Sequence, residues 1–242
     1  MIVSIHQPSF LPWLGYFHRI ALSDLHIILD TVQFARGKDS FINRNKIRTP
    51  QGWMWLTVPV SSPHIRPPGG GNPPISETRI ANATPWAKKH RNALETSYRG
   101  APFWDQYGHS LLALYETHWE LLSPMNLAFT RWCLDQLGIK TRIRLASELH
   151  SDKQKSDLVL DLSRKVGATT YISGALGRRY LDEESFQKAG IRLLYQDYHH
   201  PVYPQRFEPF VPYMSIVDLL MNCGPDSLTI LMGREELGLV LL

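Results

Sequence analysis

Short apolar runs alternate with amphipathic stretches at the start of the chain. Residues 2–5 form one apolar run, a helical spacing of apolar residues begins at about Leu14, and residues 25–29 form a second run. A strand, a helix and a second strand within thirty residues predict a βαβ unit, which requires a parallel pair of strands.

The same alternation returns after residue 140. Three strand patterns occur in this part of the chain, at 142–145, 169–172 and 191–195. Between them lie amphipathic helical patterns, one ending at Gly167 and one beginning after Asp182, and a further helix is predicted over 213–223. Strands separated by helices of this length predict an α/β fold with a parallel, Rossmann-like doubly wound sheet.

The middle of the chain departs from this alternation. Three helices that open with proline are predicted there, over 85–98, 102–122 and 124–137. They form a helical insertion around residues 85–137. Before it, 53–60 is a strong strand pattern and 77–81 a weaker one, whereas 33–46 is too polar for a strand or a core helix. Residues 61–74 hold five prolines and three consecutive glycines, so we expect a loop that is mobile without a ligand.

Composition indicates a globular protein. A length of 242 residues suits one α/β domain over 1–242, and 43% hydrophobic with 20% charged residues argues against disorder. No apolar run approaches the ~20 residues that cross a bilayer. The N-terminus lacks a basic start, and its apolar stretch is short, which predicts a first strand rather than a signal peptide. We therefore expect a cytoplasmic protein without a membrane span.

Cysteine content and net charge add two weaker indications. Cys133 and Cys223 lie in apolar helical contexts, which predicts buried thiols in a reducing compartment rather than a disulfide or a zinc site. A net charge of +4 and a pI of about 9.1 favour anionic partners such as nucleotides, sugar phosphates or RNA. The sequence contains no run of five like charges, which would have indicated a nucleic-acid-binding arm.

Polar residues follow the first two predicted strands, where doubly wound sheets bind their ligands. His6 and Gln7 follow the first strand, Tyr16 lies just inside the next helix, and Asp30 and Gln33 follow the second strand. We predict that all five share one pocket. His6 is a candidate general base or a hydrogen-bond donor to a phosphate, or else a structural loop histidine. Asp30 could orient an amine nucleophile, take its proton or bind a ribose or sugar hydroxyl, or else it caps a turn.

Two further polar clusters are candidates for substrate binding. Asn43, Arg44 and Asn45 suit phosphate and sugar hydroxyls, although a solvated loop explains them too. The turn at 173–174, with Ser173 and Gly174, precedes Arg178 and can approach a phosphate. It lacks the Gly-Lys-Ser/Thr ending of a P-loop and the context of a nucleophile elbow.

Other charged or polar groups are assigned structural roles. His199 and His200 are adjacent, so their side chains point apart in a strand, and no metal site is predicted. Residues 88–91 are interpreted as a solvated helix face, with RNA backbone as the alternative. Asp218 lies in an apolar helix and requires a partner, for which an arginine is the expected choice.

Short motifs over nearly the whole chain resemble those of the WbqC-like family. They lie at residues 5–8 (IHQP), 11–17 (LPWLGYF), 29–30 (LD), 32–34 (VQF), 43–47 (NRNKI), 49–52 (TPQG), 56–60 (LTVPV), 171–174 (YISG), 180–181 (YL), 203–205 (YPQ) and 215–220 (SIVDLL). Glycines 69–71 are the clearest departure. The resemblance implies a place in bacterial O-antigen and related surface-glycan clusters, and a glycine-transferring role has been suggested for that family.

A looser resemblance concerns the fold of nucleotidyl-transfer enzymes and pantothenate synthetase. It rests on the order of strand, proline-containing loop, Gly-aromatic pair at a helix start, and second strand. Those enzymes activate substrates with ATP and hold phosphates with paired histidines. Gly15 and Tyr16 stand in the equivalent loop, which has no His-x-Gly-His motif.

Together these observations lead to two hypotheses. The first is an amide-forming transferase or ligase that adds glycine or another small acyl group to an amino-sugar intermediate, such as a nucleotide sugar. His6 or Asp30 would deprotonate the amine, while Arg44 and Arg178 would hold phosphates. The donor stays open among an aminoacyl adenylate made with ATP, an aminoacyl-tRNA and a thioester. The second is a non-catalytic nucleotide- or RNA-binding protein with the same fold.

Overall fold

The computed structural model describes residues 1–35, 37, 40–61 and 71–233, together with the backbone of residues 239–241. Most of the loop expected to be mobile, residues 62–70, lies outside the described residues, so its mobility stays a prediction.

A mixed sheet with five parallel strands forms the centre of the protein. In spatial order the strands are β5 (Arg142–Leu145), β2 (Leu25–Ile28), β1 (Ile2–His6), β6 (Thr170–Ser173), β7 (Arg192–Gln196) and β8 (Leu239–Leu241). The first five are parallel to one another, and β8 runs antiparallel to β7 at the edge. Two apolar runs and a short connecting helix thus form the parallel pair that the sequence predicts.

Helices cover both faces of this sheet. They are α1 (Leu14–Ala21), α2 (Trp86–Tyr98), α3 (Trp104–Ala113), α4 (Leu122–Leu137), α5 (Lys155–Lys165), α6 (Glu183–Lys188), α7 (Ile216–Cys223) and α8 (Ser227–Met232). On one face, Val3 and Ile5 of β1 pack with Leu162 of α5 and Phe186 of α6. The other core joins α1 to α2, α3, α4 and α7. The doubly wound fold and its helical insertion are therefore confirmed.

The helices also bear on the predictions for the cysteines and for membrane-spanning segments. Cys133 in α4 and Cys223 at the end of α7 are both free and buried, as predicted. In the described part of the chain, no helix combines the length and the apolar character needed to span a bilayer.

A hairpin lies outside the central sheet. Its strands are β3 (Arg44–Thr49) and β4 (Gly52–Thr57), which pair antiparallel. The prediction that residues 33–46 contain no strand was wrong at their end, where β3 begins. Arg44 and Lys46 lie over the Trp55 and Trp53 rings at 4.4 and 5.0 Å, while Asn45 and Ile47 are buried. The period-two pattern is real, but polar residues occupy both of its faces.

The chain leaves the predicted helix and strand pattern at two other places. The helix predicted over 102–122 ends at Ala113, because the chain turns and the Trp119 indole Nε1 donates to the Leu114 carbonyl at 2.8 Å. The strand predicted over 77–81 is instead a 3₁₀ turn at Ile75–Glu77 followed by isolated bridges. Those bridges join residues 79–80 to their neighbours without forming a ladder.

A buried carboxylate ties the C-terminal part of the chain to the helical insertion. Asp218 of α7 is fully buried and accepts from the Tyr98 hydroxyl at 3.0 Å, the Tyr203 hydroxyl at 2.9 Å and Gln205 Nε2 at 2.7 Å. The side-chain oxygen of Gln205, Oε1, accepts from Arg48 Nε at 3.3 Å. The expected arginine partner therefore acts through the amide of Gln205, which bridges the two charges.

Arg48 in β3 has each of its guanidinium nitrogens bonded. Besides Gln205, it donates from Nη2 to the carbonyls of Phe207 and Pro209 at 2.9 and 2.8 Å, and from Nη1 to those of Thr49 and Gly52. Because these partners come from the hairpin and from residues 205–209, Arg48 fixes one against the other. Its 1% exposure leaves this charge almost wholly satisfied inside the protein.

We expect Asp218→Ala to lower the free energy of unfolding by about 3 kcal/mol or more, because three buried donors lose their acceptor. Chemical denaturation at neutral pH measures this loss. The matched change is Asp226→Ala, which removes an exposed carboxylate from the turn after α7 and should cost about 0.5 kcal/mol or less. Equal losses in the two variants would contradict a structural role for the Asp218 cluster.

Candidate functional site

The strand order places a topological switch point between β1 and β6. After β1 the chain crosses through α1 to β2 on one side, whereas β6 lies against the other side of β1. In open α/β sheets, ligands bind outside the carboxyl ends of strands at such a point. We call this place the switch-point crevice and define it by His6, Tyr16, Arg19 and Gly174.

His6 is the last residue of β1 and presents a defined imidazole to the crevice. Its Nδ1 lies 2.8 Å from the Gln7 carbonyl oxygen, which only accepts, so Nδ1 carries the proton and Nε2 holds a lone pair. The ring meets that of Tyr16 edge-on at 5.2 Å. Although the side chain keeps some exposure, burial and then the Arg19 charge lower the pKa of His6 to about 3. The imidazole is therefore neutral at physiological pH.

Arg19 of α1 is a buried cation without a counter-ion among the described residues. Its exposure is 6%, and its buried Nε has no hydrogen-bond partner. Burial lowers the pKa of the guanidinium, and the groups that oppose this shift are the tyrosines Tyr16, Tyr171 and Tyr180. A buried guanidinium normally pairs with a carboxylate or, as Arg48 does, with several oxygen acceptors. One that has neither is a candidate for binding an anionic ligand.

A layer of polar side chains lies between α1 and the sheet. The Ser4 hydroxyl in β1 is 2.8 Å from His26 Nδ1 in β2, and Ser23 Oγ donates to Ser4 Oγ at 2.8 Å. All three residues are buried, and His26 Nε2 has no partner among the described residues. Burial, together with the charge of Arg19, lowers the pKa of His26 well below its usual value. The floor of the crevice is polar but uncharged.

Gly174 follows β6 and makes room for the arginine. A Cβ built on Gly174 would lie 2.4 Å from Arg19 Nη1, which is closer than real Cβ contacts. Any larger residue would therefore displace the guanidinium or the turn. The close approach explains why a glycine suits this turn.

Five of the predicted site residues meet at the ends of β1 and β6. These are His6, Gln7, Tyr16, Ser173 and Gly174. Ser173 donates from Oγ to the Gly174 carbonyl at 3.1 Å, which orders the turn beside Arg19. The Gln7 side chain is partly exposed next to His6. Their shared role in substrate binding stays a prediction.

Asp30 and Gln33 have other neighbours. The Asp30 carboxylate accepts from the Ser147 backbone N–H at 3.0 Å and from the Ser147 hydroxyl at 2.8 Å, so it caps the turn after β5. Gln33 forms an isolated bridge with Pro74 and has its amide beside Gly71. These contacts support the capping alternative for Asp30, and a catalytic role for it stays a prediction.

The three hairpin candidates make mainly internal contacts. Asn43 Nδ2 donates to the Val58 carbonyl at 2.8 Å, and Asn45 Nδ2 donates to the Leu11 carbonyl at 2.7 Å. Arg44 donates to the carbonyls of Ser40 and Gly37 at 3.3 and 2.9 Å. Asn45 thus anchors the proline-containing loop that follows His6, and substrate binding by these residues stays a prediction.

Arg178 lies on the far side of the turn after β6. Its guanidinium carbon is 4.1 Å from the centre of the Tyr195 ring in β7, and the side chain is exposed. The guanidinium therefore lies against Tyr195, and its phosphate-binding role stays a prediction.

Arg19 and His26 are not among the residues predicted from the sequence. A signal was present for both: α1 has eight residues between two buried parallel strands, so it must lie flat on the sheet and bury almost every side chain. A charged residue in such a helix is forced into the interior. His26 likewise interrupts a strand that is buried on both faces.

The fold and this site define a Rossmann-like α/β protein with a cationic crevice at its switch point. The chain belongs to the WbqC-like protein family, whose model matches residues 7–230. It is also 36% identical over 227 residues to the Mycobacterium tuberculosis protein Rv1507c, described as uncharacterized, and the match covers 93% of this chain and 95% of that protein. No solved structure matches the chain significantly.

We expect Arg19→Met to raise the pKa of His6, because it removes a positive charge that disfavours the imidazolium. The value should stay below the ordinary 6.5, since burial is the larger cause and remains. NMR titration of the His6 ring carbons and nitrogens measures both the pKa and the Nδ1–H tautomer. Arg164→Met, which removes an exposed charge from α5, is the control. A His6 pKa that falls or stays unchanged in Arg19→Met would refute this electrostatic coupling.

We expect Gly174→Ala to lower the free energy of unfolding by about 1–3 kcal/mol through its clash with Arg19 Nη1. In the Arg19→Met background the same change should cost less, because methionine has no atom at the Nη1 position. Denaturation of the two single variants and the double variant gives this coupling energy. Gly100→Ala is the control. Its new Cβ would lie 2.5 Å from Arg206 Nη2, so it creates a similar clash with an arginine outside the crevice. Additive effects of Gly174→Ala and Arg19→Met would contradict the contact.

Proposed function

We propose that this protein is an acyl or aminoacyl transferase, or an amide-forming ligase, that modifies an amino-sugar intermediate of bacterial surface-glycan synthesis. The observation that carries the proposal is the pairing of a neutral His6, with its Nε2 lone pair, and the uncompensated Arg19 in one crevice. Family membership supports the pathway and the cytoplasm as its site. The crevice supports a reaction that removes a proton beside a bound anion.

The proposed reaction joins an amine to an activated acyl carbon. The amine nitrogen forms a C–N bond with the acyl carbonyl carbon, and the bond from that carbon to the leaving group breaks. His6 Nε2 accepts the proton that the amine loses, and the departing group carries away the bonding electron pair. The leaving group is a phosphate of an adenylate made with ATP, a tRNA hydroxyl or a thiol.

Arg19 would hold a negatively charged group of the substrate. An anion there offsets the positive charge that is the second cause of the low His6 pKa. The imidazole then becomes a better base only when the substrate is in place. His6 is a better candidate for the base than Asp30, because both carboxylate oxygens of Asp30 already accept hydrogen bonds from Ser147.

We expect His6→Asn to lower turnover by roughly a hundredfold or more, because asparagine still donates to the Gln7 carbonyl but has no lone pair at the Nε2 position. Mass spectrometry follows amide formation on an amino-sugar nucleotide with glycine plus ATP, with glycyl-tRNA and with a thioester. His109→Asn, an exposed histidine of α3, is the matched control.

Two outcomes would contradict the proposal. Full turnover by folded His6→Asn would remove His6 as the base. Absence of product from the parent protein with every donor and amino sugar would favour the non-catalytic binding protein, which nucleotide and RNA binding assays would then address.

A further inference from the structure

The charge of the switch-point crevice is unusually simple. Arg19 contributes one positive charge, and no salt bridge links it to an acidic group in the described parts of the chain. The ionisable groups that interact with it are six histidines and tyrosines: His6 of β1, Tyr16 and His18 of α1, His26 of β2, Tyr171 of β6, and Tyr180. The balance therefore depends on whether these six groups are neutral.

All six groups are uncharged near neutral pH. Burial and Arg19 lower the pKa of His6 to about 3 and that of His18 to about 4, and they lower the pKa of His26 well below its usual value. Burial raises the pKa of Tyr16, Tyr171 and Tyr180 above their usual value. The crevice thus carries a charge of one, and this charge stays constant between pH 6 and pH 8.

Geometry places this charge where a ligand can reach only its end. The Nε atom is sealed, while Nη1 lies beside Gly174 at the turn after β6, where the backbone is partly exposed. Tyr180 is 51% exposed close by and can supply a hydroxyl donor. One guanidinium edge and one hydroxyl match two oxygens of a small oxyanion.

We propose that the switch-point crevice selects an oxyanion with a single negative charge, a carboxylate or a phosphodiester, over a doubly charged phosphate monoester. This inference rests on the proposed function for its assignment of the crevice to the substrate. A single charge neutralises Arg19, whereas a second one would remain uncompensated in a poorly solvated place. A phosphate monoester should therefore bind only as its monoanion.

The test uses three small anions and the intact protein. Acetate represents the carboxylate, dimethyl phosphate the phosphodiester and methyl phosphate the monoester, each titrated at pH 6 and pH 8. The NMR signals of Arg19 Nε–H and the His6 ring report occupancy. With a second phosphate pKa of about 6, the monoanion fraction of methyl phosphate falls roughly fiftyfold between these pH values. We expect its affinity to fall by the same factor, while those of acetate and dimethyl phosphate stay constant.

Two variants show whether Arg19 is the receptor. Arg19→Met should abolish saturable shifts of the His6 ring with all three anions, and its denaturation midpoint should rise because a buried, unpaired charge is gone. Arg19→Lys should keep the preference for singly charged anions but bind them more weakly, because lysine keeps the positive charge and lacks the planar pair of guanidinium donors. A lower midpoint for Arg19→Met would indicate a structural arginine and overturn the proposal.

The remaining outcomes separate the two sources of the anion. Tighter binding of acetate assigns the crevice to the carboxylate of an acid or amino acid, and tighter binding of dimethyl phosphate assigns it to the phosphodiester of a nucleotide sugar. The proposed selectivity for singly charged anions would be overturned if methyl phosphate bound equally at both pH values. It would also be overturned if no anion gave a saturable shift. Because no turnover is measured, an inactive protein that passes this test refutes only the proposed reaction.

Discussion

The parallel pairing of β1 with both of its neighbours is the constraint on which the site depends. β1 hydrogen bonds to β2 along 3–6 and to β6 along 2–4, so three carboxyl ends meet at one edge of the sheet. Because α1 connects β1 to β2 over one face, only that face can receive its side chains. His6 and Gly174 are brought together from distant parts of the sequence by this pairing alone.

Two buried arginines differ in how the fold bonds the same guanidinium group. Arg48 is 1% exposed, and each of its nitrogens donates to a carbonyl or amide oxygen. Arg19 is 6% exposed, and its Nε has no partner among the described residues. Desolvating a charge costs free energy in both cases, but only Arg48 recovers it within the fold. The difference in bonding, not in burial, is the reason why we propose a binding role for Arg19 and a structural one for Arg48.

The central sheet could be predicted from sequence because its signal is local. Apolar runs of four or five residues between helical patterns mark parallel strands that are buried on both faces, and strand ends identify His6 and Gly174 as neighbours of a ligand site. The hairpin strand β3 was not predicted because its sequence is polar. Arg44 and Lys46 are covered by the indole rings of Trp55 and Trp53 in the partner strand β4, which the sequence of β3 alone does not show. Pairing across a hairpin supplies information that one strand alone lacks.

Arg19 and Asp30 reveal the limit of reading a site from residue type and position. Asp30 follows a strand at the ligand-binding edge, as a catalytic carboxylate would, yet its oxygens cap the turn at Ser147. Arg19 lies in a short helix between two buried strands, which indicates burial, but the sequence does not show that its guanidinium lacks a counter-ion. A carboxylate is identified as available, or an arginine as unpaired, only once its three-dimensional neighbours are known. Since the charge of Arg19 adds to burial in lowering the pKa of His6, the two residues are electrostatically coupled, and a role proposed for one bears on the other.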